Sequence, residues 1–163
     1  MIALLQRVAE ARVLVCEQEI ARIERGLLML VCAEPGDRPD EAERLLHKTL
    51  KLRIFADAQG RMNHCVQDLD GQGRRGGLLI VSQFTLAADV SGGHRPSFTG
   101  AADPVMARTL YEHLLERARD RHDPVASGRF GADMQVQLCN DGPVTIPLRV
   151  APPPRPQELG PTQ

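Results

Sequence analysis

Residues 78–88, LLIVSQFTLAA, place three polar side chains in an apolar stretch that predicts a long strand. Strand alternation puts Gln83 and Thr85 on one face of this strand, with Ser82 and Phe84 on the other. A buried hydroxyl or amide needs a hydrogen-bonding partner. These groups either cap the end of the strand or supply donors to a polarised carbonyl, as an oxyanion hole requires.

The segment that follows, DVSGGHRPSF, is too long to be only a connection between two elements. Gly92 and Gly93 allow the backbone to approach a ligand closely. Arg95, beside His94, has the chemistry to contact a phosphate or a carboxylate. A flexible surface loop explains the same composition, so both interpretations stay open.

Near the carboxyl terminus, NDGPV interrupts a stretch of alternating apolar and polar residues. Asn, Asp and Gly favour tight turns, which predicts a β-hairpin at this point. Pro143 has no N–H group to give to a strand ladder, so it requires a turn, a bulge or an exposed edge. The Gly142-Pro143 pair is therefore either a simple turn or a feature with a further role.

Familiar catalytic motifs are absent from the sequence: it has no Walker A loop, no G-x-S-x-G segment and no HExxH. The five histidines do not share helical spacing, and the four cysteines form no CxxC pair, so we expect no metal and no cofactor. A thiol hydrolase that uses Cys65 or Cys139, with His64 or a distant histidine as its base, is a possible alternative.

The net charge of −1 gives no general reason to expect nucleic-acid binding. Any RNA partner must therefore be bound by a local arginine cluster. The candidate clusters are Arg74 with Arg75, His94 with Arg95, and the run Arg117, Arg119 and Arg121. The simpler interpretation of each cluster is a solvated surface.

Periodicity predicts the remaining elements. Residues 2–8 and 11–17 form two strands of a hairpin joined around Ala9 and Glu10, and a central strand follows Gly26. A first helix begins near Pro39, and a second begins at Asp103-Pro104 and ends before Asp123. The fold class is α+β, in which antiparallel-rich sheets pack with about two main helices around one core.

We expect residues 1–150 to form a single domain and residues 151–163, which are rich in proline, to form a disordered tail. The first thirteen residues include Arg7 and Glu10 and lack a basic leader, so they indicate neither export nor a membrane span. Cysteines within apolar stretches fit a reducing compartment. A cytoplasmic protein is therefore expected.

Taken together, VSQFTLAAD, GGHRPSF and SGRFGADMQVQLCNDGPVT closely resemble the D-aminoacyl-tRNA deacylases. LLQRV at the start and KLRIFADAQGRMN in the middle are similar too, so that the resemblance runs from about residue 1 to residue 150. It implies a cytoplasmic homodimer with a β-roll or barrel-like core and helices outside. It also implies hydrolysis, without a metal, of the ester that joins a D-amino acid or glycine to tRNA.

The same resemblance implies roles for particular residues. The SQxT motif of the family falls on Ser82, Gln83 and Thr85, with Phe84 between them, and these four residues are the expected catalytic group. The Gly-cisPro motif falls on Gly142-Pro143, which in this family enters the pocket of the other subunit and rejects L-amino acids. Arg7 resembles the arginine that supports this motif, and His94 and Arg95 are expected to contact tRNA.

The sequence favours attack by water over attack by Thr85, because no histidine or carboxylate stands beside Thr85 in the sequence to act as its base. Backbone amides of residues 82–85 would then stabilise the oxyanion, with help from the adjacent ribose hydroxyl of the tRNA. The alternative to an enzyme is a non-catalytic RNA- or protein-binding module on the same fold.

Overall fold

A computed structural model describes residues 1–152 of the chain. The rest of the predicted tail, residues 153–163, lies outside the described residues. Neither helix of the described part is long and apolar enough to cross a membrane. The elements, in chain order, are β1 (Ile2–Val15), β2 (Gln18–Ile23), β3 (Gly26–Cys32), α1 (Pro39–Lys51), β4 (Phe55–Ala56), β5 (Met62–His64), β6 (Gly77–Ser82), α2 (Pro104–Arg121), β7 (Val125–Ser127) and β8 (Gln135–Arg149).

Six of the strands form one mixed sheet. The long strand β1 pairs antiparallel with β2, β3 and β8, whereas β3, β6 and β7 run parallel to one another. The sheet curls until β2 meets the start of β6, where a Cβ atom on Gly77 would lie 2.6 Å from the Cβ of Ile23. The predicted α+β class with a barrel-like core is confirmed.

Apolar residues on β3 and β6 alternate between two clusters on opposite faces of the sheet, whereas the sequence predicted one core. Leu27, Leu78 and Ile80 pack on the face that α1 and α2 cover. Leu28 and Leu79 point to the other face, inside the curled sheet. Both faces of these strands are therefore buried, which explains why their sequences are continuously apolar.

The predicted hairpin around Ala9 and Glu10 is wrong, because β1 continues through these residues as one strand. Leu5 faces the helices, whereas Ala11 and Val13 face the interior of the curled sheet. Register shifts in the pairing with β8 at this point change the face to which odd-numbered residues point. The sequence pattern therefore marked an irregularity correctly, but the irregularity is a bulge. The chain reverses later, at residues 16 and 17, which both have positive φ.

Both predicted helices are confirmed, and their ends follow the expected chemistry. The Asp103 carboxylate accepts hydrogen bonds from the amides of Val105 and Met106 at 3.0 and 3.1 Å. The two helices are joined by an ion pair between Glu43 of α1 and Arg121 of α2. This contact holds α2, which borders a pocket described below, against α1.

His122, just after α2, is 2% exposed. Its Nε2 lies 2.7 Å from the carbonyl oxygen of Gly76, and its Nδ1 is buried without a hydrogen-bond partner among the described residues. Burial, which disfavours the charged imidazolium, lowers the pKa of His122 below its ordinary 6.5, and the nearby positive charge of Arg75 lowers it further.

Acid is expected to destabilise the fold through His122. Below pH 6.5 the unfolded chain binds a proton that the buried ring resists, so the free energy of unfolding falls. The loss is at most about 1.4 kcal/mol per pH unit. His122→Gln cannot titrate, so urea unfolding at about pH 7.5 and about pH 5.5 should show a smaller difference for this variant. If the free energy of unfolding changes equally with pH in both proteins, His122 is not the group that makes the fold sensitive to acid.

Candidate active site

The strand predicted over residues 78–88 is shorter than expected, because β6 ends at Ser82 and residues Phe84–Ala87 form a 3-10 turn. The ladder with β3 ends where the Gln83 amide donates to the carbonyl oxygen of Val31 at 2.8 Å. The alternation argument therefore does not apply beyond Ser82. The turn carries Phe84 and Thr85 out to the surface, where both are exposed.

A hydrogen bond inside this turn joins two of the predicted catalytic residues. The Gln83 side-chain Nε2 donates to the Thr85 Oγ1 at 2.6 Å. The Thr85 oxygen is therefore an acceptor, and an amide N–H group cannot remove its proton. The amides of Phe84 and Thr85 begin the helical turn, where N–H groups have no partner within the helix. Two backbone donors at the end of β6 are thus without a partner inside the turn.

Beside the turn lies a mainly apolar pocket of about 610 Å³, between the end of β6 and the start of α2. Its polar lining includes Ser82 and Gln83, and Phe84 stands at its edge with 58% exposure. The Phe84 ring meets Phe98 edge-to-face, with 5.0 Å between ring centroids. Lining residues that the sequence did not predict as part of a site include Met1, Cys32, Tyr111, Phe130 and Met134. Of these, Phe130 and Met134 stand in SGRFGADMQ, a segment used only for the resemblance.

Tyr111 forms part of the pocket wall through a buried hydroxyl. Its OH group donates to the carbonyl oxygen of Ile80 at 2.9 Å, and the carbonyl oxygen of Gly128 lies 3.3 Å away. Burial raises the pKa of Tyr111 far above its ordinary value. The phenol therefore stays neutral and holds α2 against β6.

Cys32 is the one cysteine among the pocket-lining residues. Its thiol is 3.2 Å from the carbonyl oxygen of Ala33 and 3.6 Å from that of Phe84. Burial, followed by the negative charge of Glu34, raises its pKa to about 11. The thiol stays protonated at neutral pH, so it is a poor nucleophile.

The cysteines proposed for a thiol hydrolase, Cys65 and Cys139, do not line the pocket. Cys139 is exposed on β8 opposite Glu10, and Cys65 lies next to β5. In the described part of the chain, no group of three or more His, Cys, Asp or Glu side chains is arranged to hold a metal ion.

His94 and Arg95 lie at the tip of an exposed loop beyond the 3-10 turn. Two hydrogen bonds between the backbones of Asp89 and Ser97, at 2.8 and 2.9 Å, close the base of this loop. The Asp89 carboxylate also accepts a hydrogen bond from the amide of Ser91 at 2.9 Å. The loop thus extends from the same turn that carries Phe84 and Thr85.

The hairpin predicted at Gly142-Pro143 is wrong, because β8 runs along β1 on both sides of this pair. Gln6 pairs with Thr145 and Val8 with Asn140, so that residues 141–144 of β8 face Arg7 alone. These residues form a bulge, one of the alternatives that a proline in a strand requires. Gly142 and Pro143 are exposed at its tip, and the peptide bond between them is cis.

Arg7 and Asn140 hold this bulge from two sides. The Arg7 guanidinium donates to the carbonyl oxygens of Asp141 and Ile54 at 3.0 and 2.6 Å and pairs with the Asp141 carboxylate at 3.2 Å. The Asn140 side chain exchanges two hydrogen bonds with the backbone of Val144, at 3.0 and 3.2 Å. The sequence analysis gave Arg7 through the resemblance and missed Asn140, whose position in NDGPV suggested only a turn.

Within one chain, the bulge and the 3-10 turn are level with opposite ends of β3. Arg7 is level with Leu27 near the start of β3, whereas Ser82 is level with Val31 near its end. The separation along the strands is roughly 13 Å for the four residue steps from Leu27 to Val31. The structure therefore brings Ser82, Gln83 and Phe84 together at one pocket, and Gly142 and Pro143 are not among the residues that line it.

Comparison with known proteins was made on sequence and on structure. The family model described as D-Tyr-tRNA(Tyr) deacylase matches residues 4–149. D-aminoacyl-tRNA deacylases of Albidiferax ferrireducens and Polaromonas naphthalenivorans are each 64% identical to the chain, over 94% and 92% of it and over 96% and 97% of their own lengths.

Two solved structures share the fold. One is described as c-Myc DNA Unwinding Element Binding Protein and matches with a TM-score of 0.85 and 38% identity, over 93% of this chain and all of its own. The other, a probable eukaryotic D-amino acid tRNA deacylase, matches with a TM-score of 0.71 and 18% identity, over 90% of this chain and 97% of its own. The extent of the family match and the identity to the curated relatives confirm the resemblance: the chain belongs to the D-aminoacyl-tRNA deacylase family of hydrolases.

Proposed function

We propose that the protein hydrolyses the ester bond of D-aminoacyl-tRNA and releases the free D-amino acid and tRNA. The observation that carries this proposal is the turn after Ser82, whose first residue, Phe84, lines a mainly apolar pocket and whose first N–H groups have no partner within the turn. Such a pocket has room for an amino-acid side chain, and the donors suit the oxygen of a carbonyl under attack. The names of the curated relatives support the choice of substrate.

In the proposed reaction, water attacks the ester carbonyl and the bond to the ribose oxygen of the terminal nucleotide breaks. The amides of Phe84 and Thr85 stabilise the negative charge that develops on the carbonyl oxygen. The amino acid leaves as a carboxylate, and the ribose oxygen takes up a proton with the assistance of the neighbouring ribose hydroxyl. The hydrogen bond from Gln83 to Thr85 fixes the conformation of the turn that carries both amides.

Thr85→Ala is expected to retain kcat for D-Tyr-tRNA within about tenfold, because the proposed reaction uses the amide of residue 85 directly and its hydroxyl only as the acceptor of the Gln83 hydrogen bond that supports the turn. A nucleophilic Thr85 would instead make the variant about 10⁴-fold slower or worse. Single-turnover release of tyrosine from D-Tyr-tRNA measures the difference, and Thr85→Ser, which keeps the hydroxyl, is the matched control. Near-complete loss in the alanine variant with full activity in the serine variant would overturn the water mechanism.

Rejection of L-amino acids is assigned to Gly142-Pro143 of a second copy of the chain, so the functional unit is a homodimer. The pair is exposed on a bulge that Arg7 and Asn140 hold, and it does not line the pocket of its own chain, which favours action on another subunit. Rigid backbone carbonyls near Cα would clash with an L side chain and would lose their own hydration. A D side chain points away from these carbonyls, and glycine has no side chain to reject, so glycyl-tRNA is also accepted.

The tRNA is expected to contact His94 and Arg95, which the loop closed by Asp89 and Ser97 presents beside the catalytic turn. A guanidinium group suits the phosphates near the 3′ end of the tRNA. All four cysteines are free, which supports a reducing cytoplasm as the place of action.

Incubation with D-Tyr-tRNA and with L-Tyr-tRNA tests the proposed function. We expect rapid release of D-tyrosine and little release of L-tyrosine. The second candidate is a non-catalytic nucleic-acid-binding module, which the structural neighbour described as a DNA-element-binding protein favours. Binding of tRNA in a gel-shift assay without release of either amino acid would support that candidate and reject the deacylase.

A further inference from the structure

A second concave pocket, of about 350 Å³, lies at the end of the sheet where β3 and β6 begin. It is bounded by the turn between β2 and β3 and by the Gly-rich loop that precedes β6. Four of its lining residues are arginines, namely Arg22, Arg25, Arg74 and Arg75. The chemistry of this pocket plays no part in the proposed hydrolysis.

The charges around this arginine pocket do not cancel. Arg22 already pairs with Glu10 and Glu19, at 3.5 and 3.3 Å. The guanidinium groups of Arg25, Arg74 and Arg75 have no carboxylate within 4.0 Å among residues 1–152, although Glu24 also lines the pocket. The pKa of Asp70 is lowered chiefly by the Gln72 amide and in part by the charge of Arg74, so the charge of Arg74 is partly balanced. Arg25 and Arg75 form no ion pair with the described residues, and their charges leave the pocket attractive to an anion.

The loop that carries Arg74 and Arg75 is held in place by its own hydrogen bonds. The Asp70 carboxylate accepts from the amides of Gln72 and Arg74 at 2.9 and 3.2 Å, and the amide of Leu69 donates to the Arg74 carbonyl oxygen at 2.7 Å. The arginines are therefore presented by a folded segment, which lowers the entropy cost of binding.

The two sides of the arginine pocket are also tied to each other. The Gly77 amide donates to the carbonyl oxygen of Arg25 at 3.0 Å, across the base of the pocket. The Arg25 guanidinium lies over the Phe55 ring, 5.8 Å from its centroid, which restricts where the side chain points. The spacing of the two arginine-bearing segments is thereby fixed before any ligand arrives.

The other arginine cluster expected from the sequence, on α2, differs in this respect. Arg117 pairs with Glu43 and Asp120, and Arg121 pairs with Glu43. Arg119 lies 3.4 Å from the hydroxyl of Ser127. These contacts occupy the α2 cluster within the fold, so Arg74 and Arg75 are the better candidates for an external anion.

The position of the arginine pocket indicates which anion it meets. Gly77 of β6 pairs with Gly26 of β3, and Gly26 pairs with Val8 of β1, which is next to the bulge that carries Gly142-Pro143. The register places the arginine pocket at the same level along the strands as the bulge that is proposed to enter the pocket of a second subunit. The tRNA bound in that second pocket is therefore the anion that we consider for these arginines.

We propose that the pocket formed by Arg22, Arg25, Arg74 and Arg75 binds a phosphate of the tRNA backbone, remote from the reacting ester. This inference rests on the proposed function. The planar guanidinium fork matches phosphate oxygens in pairs, and such contacts fix the position of a nucleic acid without reading its sequence. The pocket thus strengthens binding of the tRNA body and leaves the chemical step unchanged.

The test compares two substrates that share the same ester, D-Tyr-tRNA and D-tyrosyl-adenosine, which lacks the tRNA body. Arg74→Ala/Arg75→Ala is expected to lower kcat/KM for D-Tyr-tRNA about tenfold at low salt, through KM, with kcat unchanged. The slope of log KM against log salt should become shallower by about 0.7 to 0.9 for each phosphate that the variant no longer neutralises. Hydrolysis of D-tyrosyl-adenosine should not change.

Two controls accompany this variant. Lys48→Ala/Lys51→Ala removes the same charge from exposed positions on α1 and should leave KM and the salt slope unchanged. Arg74→Lys/Arg75→Lys keeps the charge without the fork and should fall between the alanine variant and the unsubstituted protein.

The outcomes separate the two proposals. If the unsubstituted protein hydrolyses neither substrate, the proposed function fails. If it hydrolyses both and the alanine variant matches it on D-Tyr-tRNA at every salt concentration, the arginine pocket does not bind tRNA. An equal loss on both substrates would mean that the arginines act through the fold or the dimer, which would also overturn the inference.

Discussion

Gly142→Ala is expected to lower the ratio of kcat/KM for D-Tyr-tRNA to kcat/KM for L-Tyr-tRNA by roughly a hundredfold, the size of loss that a misplacement of about 1 Å can cause. Gly142 has a φ of 131°, a conformation that L residues rarely adopt. A Cβ atom there would lie 2.8 Å from both Arg7 Nη2 and Val144 Cγ2. The tip of the bulge must therefore move, and the carbonyls assigned to the partner's pocket move with it.

Gly60→Ala is the matched control for this variant. Gly60 also has a positive φ, of 77°, but a Cβ atom there would meet no atom within 4 Å. Gly60→Ala should also lower the free energy of unfolding in urea, because alanine is strained at a positive φ. Its hydrolysis of D-Tyr-tRNA should not change. If Gly142→Ala hydrolyses D-Tyr-tRNA at the unsubstituted rate and still rejects L-Tyr-tRNA, the role given to the bulge is wrong.

Arg7→Ala is expected to lower the free energy of unfolding by about 2 to 4 kcal/mol, because it leaves the half-enclosed carbonyl oxygens of Ile54 and Asp141 without their donor. The side chain is only 11% exposed, so water replaces these contacts poorly. Hydrolysis of D-Tyr-tRNA should fall as well, since the bulge loses one of its two supports. Arg7→Lys keeps the charge but lacks the planar fork that reaches both carbonyl oxygens. Its free energy of unfolding should therefore lie between those of Arg7→Ala and the unsubstituted protein.

Arg12 provides the matched control, since it lies on the same strand and its Nε donates to Gln137 of β8 at 2.8 Å. Its side chain is 42% exposed, and its ion pair with Glu19 is 3.6 Å long. Arg12→Ala should therefore cost less than about 1 kcal/mol in urea unfolding. A similar loss of stability in both alanine variants would show that Arg7 has no special role in holding the bulge.

Local physical chemistry was enough to predict both helices. The helical spacing of apolar residues after Pro39 and the Asp103-Pro104 start are short-range features, and the structure reproduces both. The central strand β3 followed from its continuous apolar stretch for the same reason. These elements depend on interactions between residues close in the chain, together with one buried face.

Long-range pairing decided where the sequence predictions were wrong. The irregularities at Ala9 and at Gly142 both suggested hairpins, yet β1 and β8 continue through them as a pair of long strands. A bulge and a turn need similar residues, and only the partner strand determines which one forms. β8, the partner strand on which both irregularities depend, is distant in the chain: Gln6 pairs with Thr145, 139 residues later.

The sequence by itself determined the family, the two helices, the apolar strands and the motif residues Ser82, Gln83, Thr85, Gly142 and Pro143, because these are properties of residue type and local order. Only the tertiary structure decided that the strand stops at Ser82, that Cys32 and Tyr111 line the pocket, and that Asn140 supports the bulge. It also decided that the 3-10 turn and the bulge lie apart in one chain. These positions are fixed by strand register, which depends on contacts between residues far apart in the chain. No short segment of the sequence therefore contains enough information to predict them.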